Sequence, residues 1–171
     1  MTWEGITASR VSVGCYKWTG KYDDRGNLME SVYYDVDGSP CLSEEGIAKW
    51  TSKYDDRGNR TESVCYGVDG SPCLISYGYA KCTREYDDRG NKTEEAYYGV
   101  DGSPCLNIYG YAKRIRKYDD RGNVTEEACY GVDGSLCLCS FGYAKVTIKY
   151  DDRGNVLEML IFDTEGNRIV M

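Results

Sequence analysis

The chain has 171 residues, enough for a domain with its own core, and its 21 basic and 28 acidic residues give a formal net charge of -7. This acidity argues against nucleic acid and anionic membranes as partners. No apolar run approaches 18 residues, so we expect no transmembrane segment. Histidine is absent, which removes the commonest general base.

The N-terminus and the cysteines bear on the compartment. The opening Met-Thr-Trp-Glu-Gly lacks the basic and apolar segments of a signal peptide. Nine cysteines is an odd number, and a reducing compartment explains it most simply because no pairing is then needed. These features slightly favour a cytoplasmic location and reduced thiols. A fragment of a secreted protein is the alternative.

One hexapeptide, Tyr-Asp-Asp-Arg-Gly-Asn, recurs every 32 residues. Its copies begin at Tyr22, Tyr54, Tyr86, Tyr118 and Tyr150. A fixed period of this length is typical of a repeat array. We therefore predict an N-terminal cap at 1–13 and five repeats at 14–45, 46–77, 78–109, 110–141 and 142–171. The last repeat is unusually apolar, which predicts either a cap over the end of the core or a docking surface for a partner or for more chain, self-association included.

The hexapeptide has the composition of a hairpin turn. Asp at the first turn position and Gly at the fourth favour a type I turn whose glycine is left-handed. In the second repeat this turn predicts strands at 48–54 and 60–66, with Tyr54 opposite Arg60. Alternation of side chains then places Glu62 on the buried face together with Trp50.

A second turn of similar chemistry follows at residues 67–71. The same loop length places Tyr66 opposite Pro72 and Cys65 opposite Cys73, and it puts proline where no N–H is needed. A short third strand at 73–76 completes the predicted unit. The expected fold is all-β, a repeat solenoid or spiral of antiparallel β-hairpins with five 32-residue repeats.

Aromatic side chains flank the glycines that open the repeats. They form the candidate binding set Tyr77, Tyr79, Tyr109, Tyr111, Phe141 and Tyr143. Aromatics at a fixed period suit a stacking platform for sugars or a peptide, and they equally suit packing between repeats.

The remaining polar motifs predict no catalytic or metal site. The paired aspartates of the hexapeptide provide oxygen ligands for calcium, but turn formation explains them with fewer assumptions. The periodic cysteines lack the spacing of a zinc site and have no histidine to activate them, so we expect small core residues. We therefore expect no enzyme, no metal and no cofactor.

The sequences Gly-Tyr-Ala-Lys and Lys-Tyr-Asp-Asp-Arg-Gly-Asn resemble the YD repeats of RHS-type bacterial proteins over residues 14–171. Tyr97-Tyr98 before a glycine turn is more distantly similar to choline-binding cell-wall repeats. Both resemblances imply hairpin arrays of bacterial surface proteins that are not catalytic. We therefore expect a non-catalytic repeat scaffold or protein-binding module of a bacterial protein, with a glycan- or cell-wall-binding module as the alternative.

Overall fold

The computed structural model describes residues 2–5 and 15–170, which form twelve β-strands and no helix. The all-β class predicted from the sequence is confirmed. None of these residues belongs to a helix with the length and apolarity needed to cross a bilayer. The strands are β1 (Thr2–Gly5), β2 (Lys17–Tyr22), β3 (Leu28–Tyr34), β4 (Lys49–Tyr54), β5 (Arg60–Tyr66), β6 (Lys81–Tyr86), β7 (Lys92–Tyr98), β8 (Lys113–Tyr118), β9 (Val124–Tyr130), β10 (Lys145–Tyr150), β11 (Val156–Phe162) and β12 (Arg168–Ile169).

The chain divides into two compact units. The first comprises Met1–Cys82 and Gly99–Ser103, and the second comprises Thr83–Tyr98 and Pro104–Met171. In the first unit, β1 to β5 are antiparallel neighbours in chain order. In the second unit, the same holds for β7 to β12. Each unit is therefore an open antiparallel sheet built from successive hairpins.

The hexapeptide forms the hairpin turn that its composition predicts. Between β4 and β5, the N–H of Asp55 donates to the carbonyl of Asn59 (3.0 Å) and that of Gly58 donates back to Asp55 (3.1 Å). Gly58 has φ of 86°, the left-handed conformation that glycine adopts without a steric penalty. The Asp55 carboxylate accepts from the backbone N–H of Arg57 and from the Asn59 side chain. The bond from Asn59 holds the pKa of Asp55 below its usual value.

A β-bulge decides which side chains share a face. Tyr54 pairs with Arg60 as predicted, but the register then shifts, so that Lys53 pairs with Glu62 and Trp50 with Cys65. The same shift occurs in the hairpins β2–β3, β8–β9 and β10–β11. The prediction that Glu62 shares a buried face with Trp50 is therefore wrong. One extra residue in β5 moves every later side chain of that strand to the other face.

With this register, glutamate and lysine lie on the same face. Glu62 forms ion pairs with Lys53 of β4 (2.8 Å) and Lys81 of β6 (2.7 Å). Glu126 lies likewise between Lys117 (2.9 Å) and Lys145 (2.7 Å). The periodic charges therefore pair locally instead of forming a track of one sign. Exposed pairs of this kind stabilise a protein by about 0–1 kcal/mol each.

The third predicted strand does not form. Tyr66 and Pro72 make an isolated bridge, as the second turn predicts, but residues 73–76 belong to no strand. Instead, Ile75 donates to the carbonyl of Tyr79 (3.0 Å) and Gly78 donates to Ile75 (2.9 Å). This is the hydrogen-bond pattern of the other two turns. The period therefore contains three turns of one type, and the third returns the chain to the next long strand.

The core consists mostly of small side chains. Ala112 and Ala144 are fully buried, and their N–H groups donate to the carbonyls of Tyr130 and Phe162, each at 2.8 Å. The buried apolar residues of the second unit are Ala96, Tyr97, Tyr111, Ala112, Ala128, Cys129, Cys139, Ala144, Val146 and Ile161. Small side chains bury little apolar area each, so the hydrophobic contribution of each buried residue is modest.

The two ends bear on the predicted caps. Strand β1 pairs with β2 from Thr2↔Lys21 to Gly5↔Trp18, whereas most of the predicted N-terminal cap lies outside the described residues. At the other end, Leu157 and Met159 of the last hairpin are exposed and Ile161 is buried. Exposed apolar side chains suit a docking surface; the C-terminal cap stays a prediction.

Candidate binding surface

Four of the six predicted aromatic residues lie in one row in the second unit. They belong to two third-turn loops, 107–111 and 139–143, which are joined by a hydrogen bond from the Ser140 N–H to the Tyr109 carbonyl (2.8 Å). Ring centroids are 6.3 Å apart for Tyr111 and Tyr109, 6.1 Å for Tyr109 and Phe141, and 6.3 Å for Phe141 and Tyr143. The interplanar angles are 16–19°, so the rings are nearly parallel.

The row extends from the core to the surface. Tyr111 is 3% exposed, and Phe141 is 65% exposed. Tyr109 is also exposed, and Tyr143 is half-buried. Tyr77 and Tyr79, the other predicted residues, lie in the first unit, where Tyr77 is exposed and Tyr79 half-buried. The packing role expected for these aromatics therefore fits Tyr111, while Tyr109 and Phe141 remain accessible to a ligand.

Exposed aliphatic side chains lie next to these aromatics in the chain. Leu106 and Leu138 directly precede the two loops, and Ile108 lies in the first loop. Each of these side chains is about half exposed. We call Leu106, Ile108, Tyr109, Leu138 and Phe141 the apolar surface. Exposed apolar side chains are common singly, whereas a group of them drawn from two contacting loops is typical of an interaction site. The leucines were not predicted as site residues.

A polar network lies beside the aromatic row. It comprises Arg84, Lys92, Glu95, Arg114, Arg116 and Glu127. The Glu95 carboxylate receives Arg84 Nε at 3.1 Å, Lys92 Nζ at 2.8 Å and Arg114 Nη2 at 3.0 Å. Burial raises the pKa of Glu95, but the hydrogen bond and charge of Lys92, the bond from Tyr97 and the charge of Arg84 outweigh it and lower the pKa to about 2.

Glu127 connects the network to the aromatic row. It accepts from Arg116 Nε at 2.6 Å and from the Tyr143 hydroxyl at 3.0 Å. Burial and the neighbouring Glu127 charge raise the pKa of Tyr143, which keeps its hydroxyl a donor. At the other end of the row, the Arg114 guanidinium lies 5.4 Å from the Tyr111 ring centroid, a cation–π contact. The network and the row therefore form one continuous site.

This network was not predicted from the sequence, although the 32-residue period reveals it. Arg84 and Arg116 occupy one strand position of the period. In the first unit the same position is occupied by Gly20 and by Ser52, which is buried. The positions of Glu95 and Glu127 hold serine there, at Ser31 and Ser63. Comparing equivalent positions across the period would therefore have identified two successive periods with charged side chains.

The aspartate pairs serve the turns and their neighbours. The backbone carbonyl of the second aspartate in the motif accepts a hydrogen bond from the arginine of the preceding copy. Arg25 Nη1 donates to Asp56 at 2.6 Å, and Arg89 Nη1 donates to Asp120 at 2.6 Å. Arg121 donates in the same way to Asp152. Among the described residues, no group of three or more histidine, cysteine, aspartate or glutamate side chains is placed to hold a metal ion.

The motif tyrosine also joins successive hairpins. The Tyr54 hydroxyl donates to the Leu28 carbonyl at 3.0 Å, and the Tyr118 hydroxyl donates to the Lys92 carbonyl at 2.7 Å. Tyr150 donates likewise to Val124 at 2.9 Å. Every position of the hexapeptide thus has a structural role, and the exposed rings of Tyr109 and Phe141 lie elsewhere, in the third-turn loops.

The cysteines depart in part from the expected reduced state. Cys15 and Cys41 form a disulfide with a Cα–Cα distance of 5.8 Å, while the other seven cysteines are not disulfide-bonded. Cys73 donates its N–H to the Cys65 carbonyl (3.0 Å), which places these two free thiols in the adjacent positions that the register predicts. Burial, followed by the charges of Cys73 and Glu45, raises the pKa of Cys65 to about 11, so this thiol stays protonated at neutral pH.

Comparison with known proteins assigns no family. No protein-family model matches the chain, and no curated protein matches it significantly. The function is therefore inferred from the geometry of the candidate surface.

Proposed function

We propose that the chain is a non-catalytic protein-binding module whose binding site is the apolar surface of the second unit. The observation that carries this proposal is the contact between loops 107–111 and 139–143, which brings the exposed rings of Tyr109 and Phe141 together. The exposed Leu106 and Leu138 directly precede these two loops in the chain. Aromatic side chains are enriched at protein interfaces because they bury much apolar area with few rotatable bonds. The partner is a protein segment with apolar side chains.

The turns support this role by holding the loops in place. The side chain of Asn107 is buried and accepts from the N–H groups of Tyr109 (2.9 Å) and Tyr111 (3.4 Å). Gly110 has φ of 82°. A loop fixed in this way loses little conformational entropy when a ligand binds. Pre-organisation of this kind favours a binding role for the surface.

A glycan- or cell-wall-binding module is the second candidate. It is favoured by the nearly parallel rings of Tyr109 and Phe141, with an interplanar angle of 16°, and by the exposure of Phe141. Sugar rings stack on exposed aromatic faces. Glycan binding would depend on the rings and hardly on Leu138, whereas a protein ligand would contact both.

Selection of a displayed random peptide library on the immobilised chain tests the proposal. We expect peptides whose binding is lost on Phe141→Ala and weakened on Leu138→Ser, and retained on Val36→Ala, an exposed residue of the first unit. A glycan array with the same variants tests the alternative. Glycan binding that depends on Phe141, without any selected peptide, would replace the protein-binding proposal by the glycan-binding one.

The scaffold role includes a finer architecture, a five-repeat solenoid of the YD-repeat type. Its support is the recurrence of equivalent contacts: the motif arginine reaches the aspartate 31 residues later in both units. In a repeat array each unit contacts chiefly its neighbours, so deleting residues 78–109 should leave a shorter folded protein. Circular dichroism and thermal melting check this, and loss of cooperative unfolding in the deletion would contradict the solenoid.

A further inference from the structure

Each carboxylate of the polar network is shared by at least two cationic side chains. Glu95 pairs with Arg84, Lys92 and Arg114, and Glu127 pairs with Arg114 and Arg116. The side chains of Arg84 and Arg114 are only 11% and 19% exposed. Positive charge that is shielded from water costs free energy unless a counter-charge accompanies it. The arrangement therefore favours an anionic ligand.

Two of the arginines have donors to offer such a ligand. Arg114 donates one hydrogen bond, from Nη2 to Glu95, and its Nη1 lies 3.8 Å from Glu127, beyond hydrogen-bond distance. Arg116 donates only from Nε, to Glu127. Among the described residues, no other group accepts a hydrogen bond from either guanidinium, and each guanidinium has five N–H donors.

The two guanidinium groups are close to each other and to the aromatic row. Both approach the same Glu127 oxygen, at 3.8 Å and 2.6 Å. Arg114 lies 5.4 Å from the Tyr111 ring, which is 6.3 Å from that of Tyr109. The distance from Arg114 to Tyr109 is thus at most about 12 Å, which about four residues of an extended peptide span.

We propose that Arg114 and Arg116 bind a carboxylate of the partner segment whose apolar side chains dock on the apolar surface. The arginine fork matches a carboxylate with paired charge-assisted hydrogen bonds. This inference rests on the proposed protein-binding function and specifies its ligand class. The ligands are peptides with Asp or Glu within about four residues of an aromatic or leucine side chain.

The first test uses sodium glutarate as the probe and the arginine Nε–Hε resonances of the full chain as the readout. We expect the Arg114 and Arg116 resonances to shift and that of the exposed Arg153 to stay unchanged. Arg116→Gln should lower the affinity for glutarate, measured by titration of the Arg114 resonance, about tenfold or more. Arg116→Lys keeps the charge next to Glu127, and it should fold and bind with intermediate affinity. Equal shifts at all three arginines, no shift at any, or shifts with sodium sulfate alone would overturn the carboxylate site.

The second test uses the selected peptides. Replacing their Asp or Glu by Asn or Gln should weaken binding to the wild type about tenfold to a hundredfold and hardly affect binding to Arg116→Gln. Arg153→Gln is the matched control for lost charge. If peptides bind through Phe141 but the amide replacement has no effect, the protein-binding function stands and the carboxylate site is overturned. If glutarate binds but no peptide is selected, the protein-binding function fails and the partner carboxylate fails with it.

Discussion

Replacing Glu95 by glutamine should destabilise the protein strongly at neutral pH. The Glu95 carboxylate is 8% exposed and contacts three cations at 2.8–3.1 Å. A fall of its pKa from 4.5 to about 2 corresponds to about 3 kcal/mol of folding free energy. Breaking a buried ion pair by removing one partner typically costs about 3–5 kcal/mol, which agrees. We expect Glu95→Gln to lose about 3 kcal/mol at pH 7.

The sign of the pH dependence follows from the direction of the shift. Because the folded pKa lies below the unfolded value, the stabilisation is fully present above about pH 4.5 and is lost as the pH falls toward about 2. About half should remain near pH 3. A protonated Glu95 resembles glutamine, so wild type and Glu95→Gln should converge in stability at low pH.

Urea unfolding of both proteins at pH 7, 4.5 and 3 measures this difference. The control is Glu94→Gln, a neighbouring side chain that is 30% exposed and lies 3.7 Å from Lys113. Its loss should stay within about 1 kcal/mol. A difference between wild type and Glu95→Gln that is the same at pH 7 and pH 3, or a control that loses as much stability, would refute the argument.

Two further predictions concern the turns and the motif tyrosine. Tyr118→Phe removes the hydroxyl that donates to the Lys92 carbonyl at 2.7 Å and should cost about 0.5–1.5 kcal/mol in urea unfolding, whereas Tyr16→Phe, at an exposed side chain, should cost nothing measurable. Gly90→Val places a β-branched residue at φ of 85° and should cost about 1–3 kcal/mol, whereas Gly90→Asn should be tolerated better. Equal melting temperatures for the two Gly90 variants would contradict the turn geometry.

The sequence predicts the hairpins well because their physical causes are local. Strand β5 has the bounds predicted for it, and β4 begins one residue later than predicted. Alternating side chains and the Asp and Gly of the turn determine both. The faces could not be predicted, because the bulge in β5, between the pairs Tyr54↔Arg60 and Lys53↔Glu62, depends on how the turn joins the twisted strands. The third turn was predicted around Gly78, at residues 77–79, but its start at Ile75 and its type were not, because Ile75 stands where the other two turns of this repeat have Asp or Gly.

The candidate site was predicted in part. Periodic aromatics identify Tyr109 and Phe141, because an aromatic side chain beside a turn glycine stands out in the sequence. Their contact depends on two loops separated by 32 residues, which the period implies but does not prove. The polar network depends on the register of three or more strands, and the predicted register placed glutamate on the wrong face. The disulfide was missed because Cys15 and Cys41 occupy different positions of the period.

The position of Cys41 explains its partner. The thiol at this position points to the chain 26 or 27 residues earlier. Cys73 Sγ lies 3.8 Å from the Gly46 carbonyl, and Cys137 Sγ lies 3.5 Å from that of Gly110. In the first copy, the residue at the facing position is Cys15, and a disulfide forms. The equivalent of Cys15 one period later is Ile47, which is buried.

Ile47→Cys should therefore form a second disulfide, with Cys73. The Cα–Cα distance of 5.8 Å for the first bridge lies in the range that disulfides need, and the equivalent pair shares its place in the period. Thiol titration of unfolded protein without reductant should give seven for the wild type. The added cysteine would raise this count to eight if it stays free and lower it to six if it pairs. Ile47→Ser, which should keep seven, controls for the cavity. A wild-type count of five would mean that one further pair of cysteines is already bridged, and a variant count of eight would show that the two periods differ in geometry.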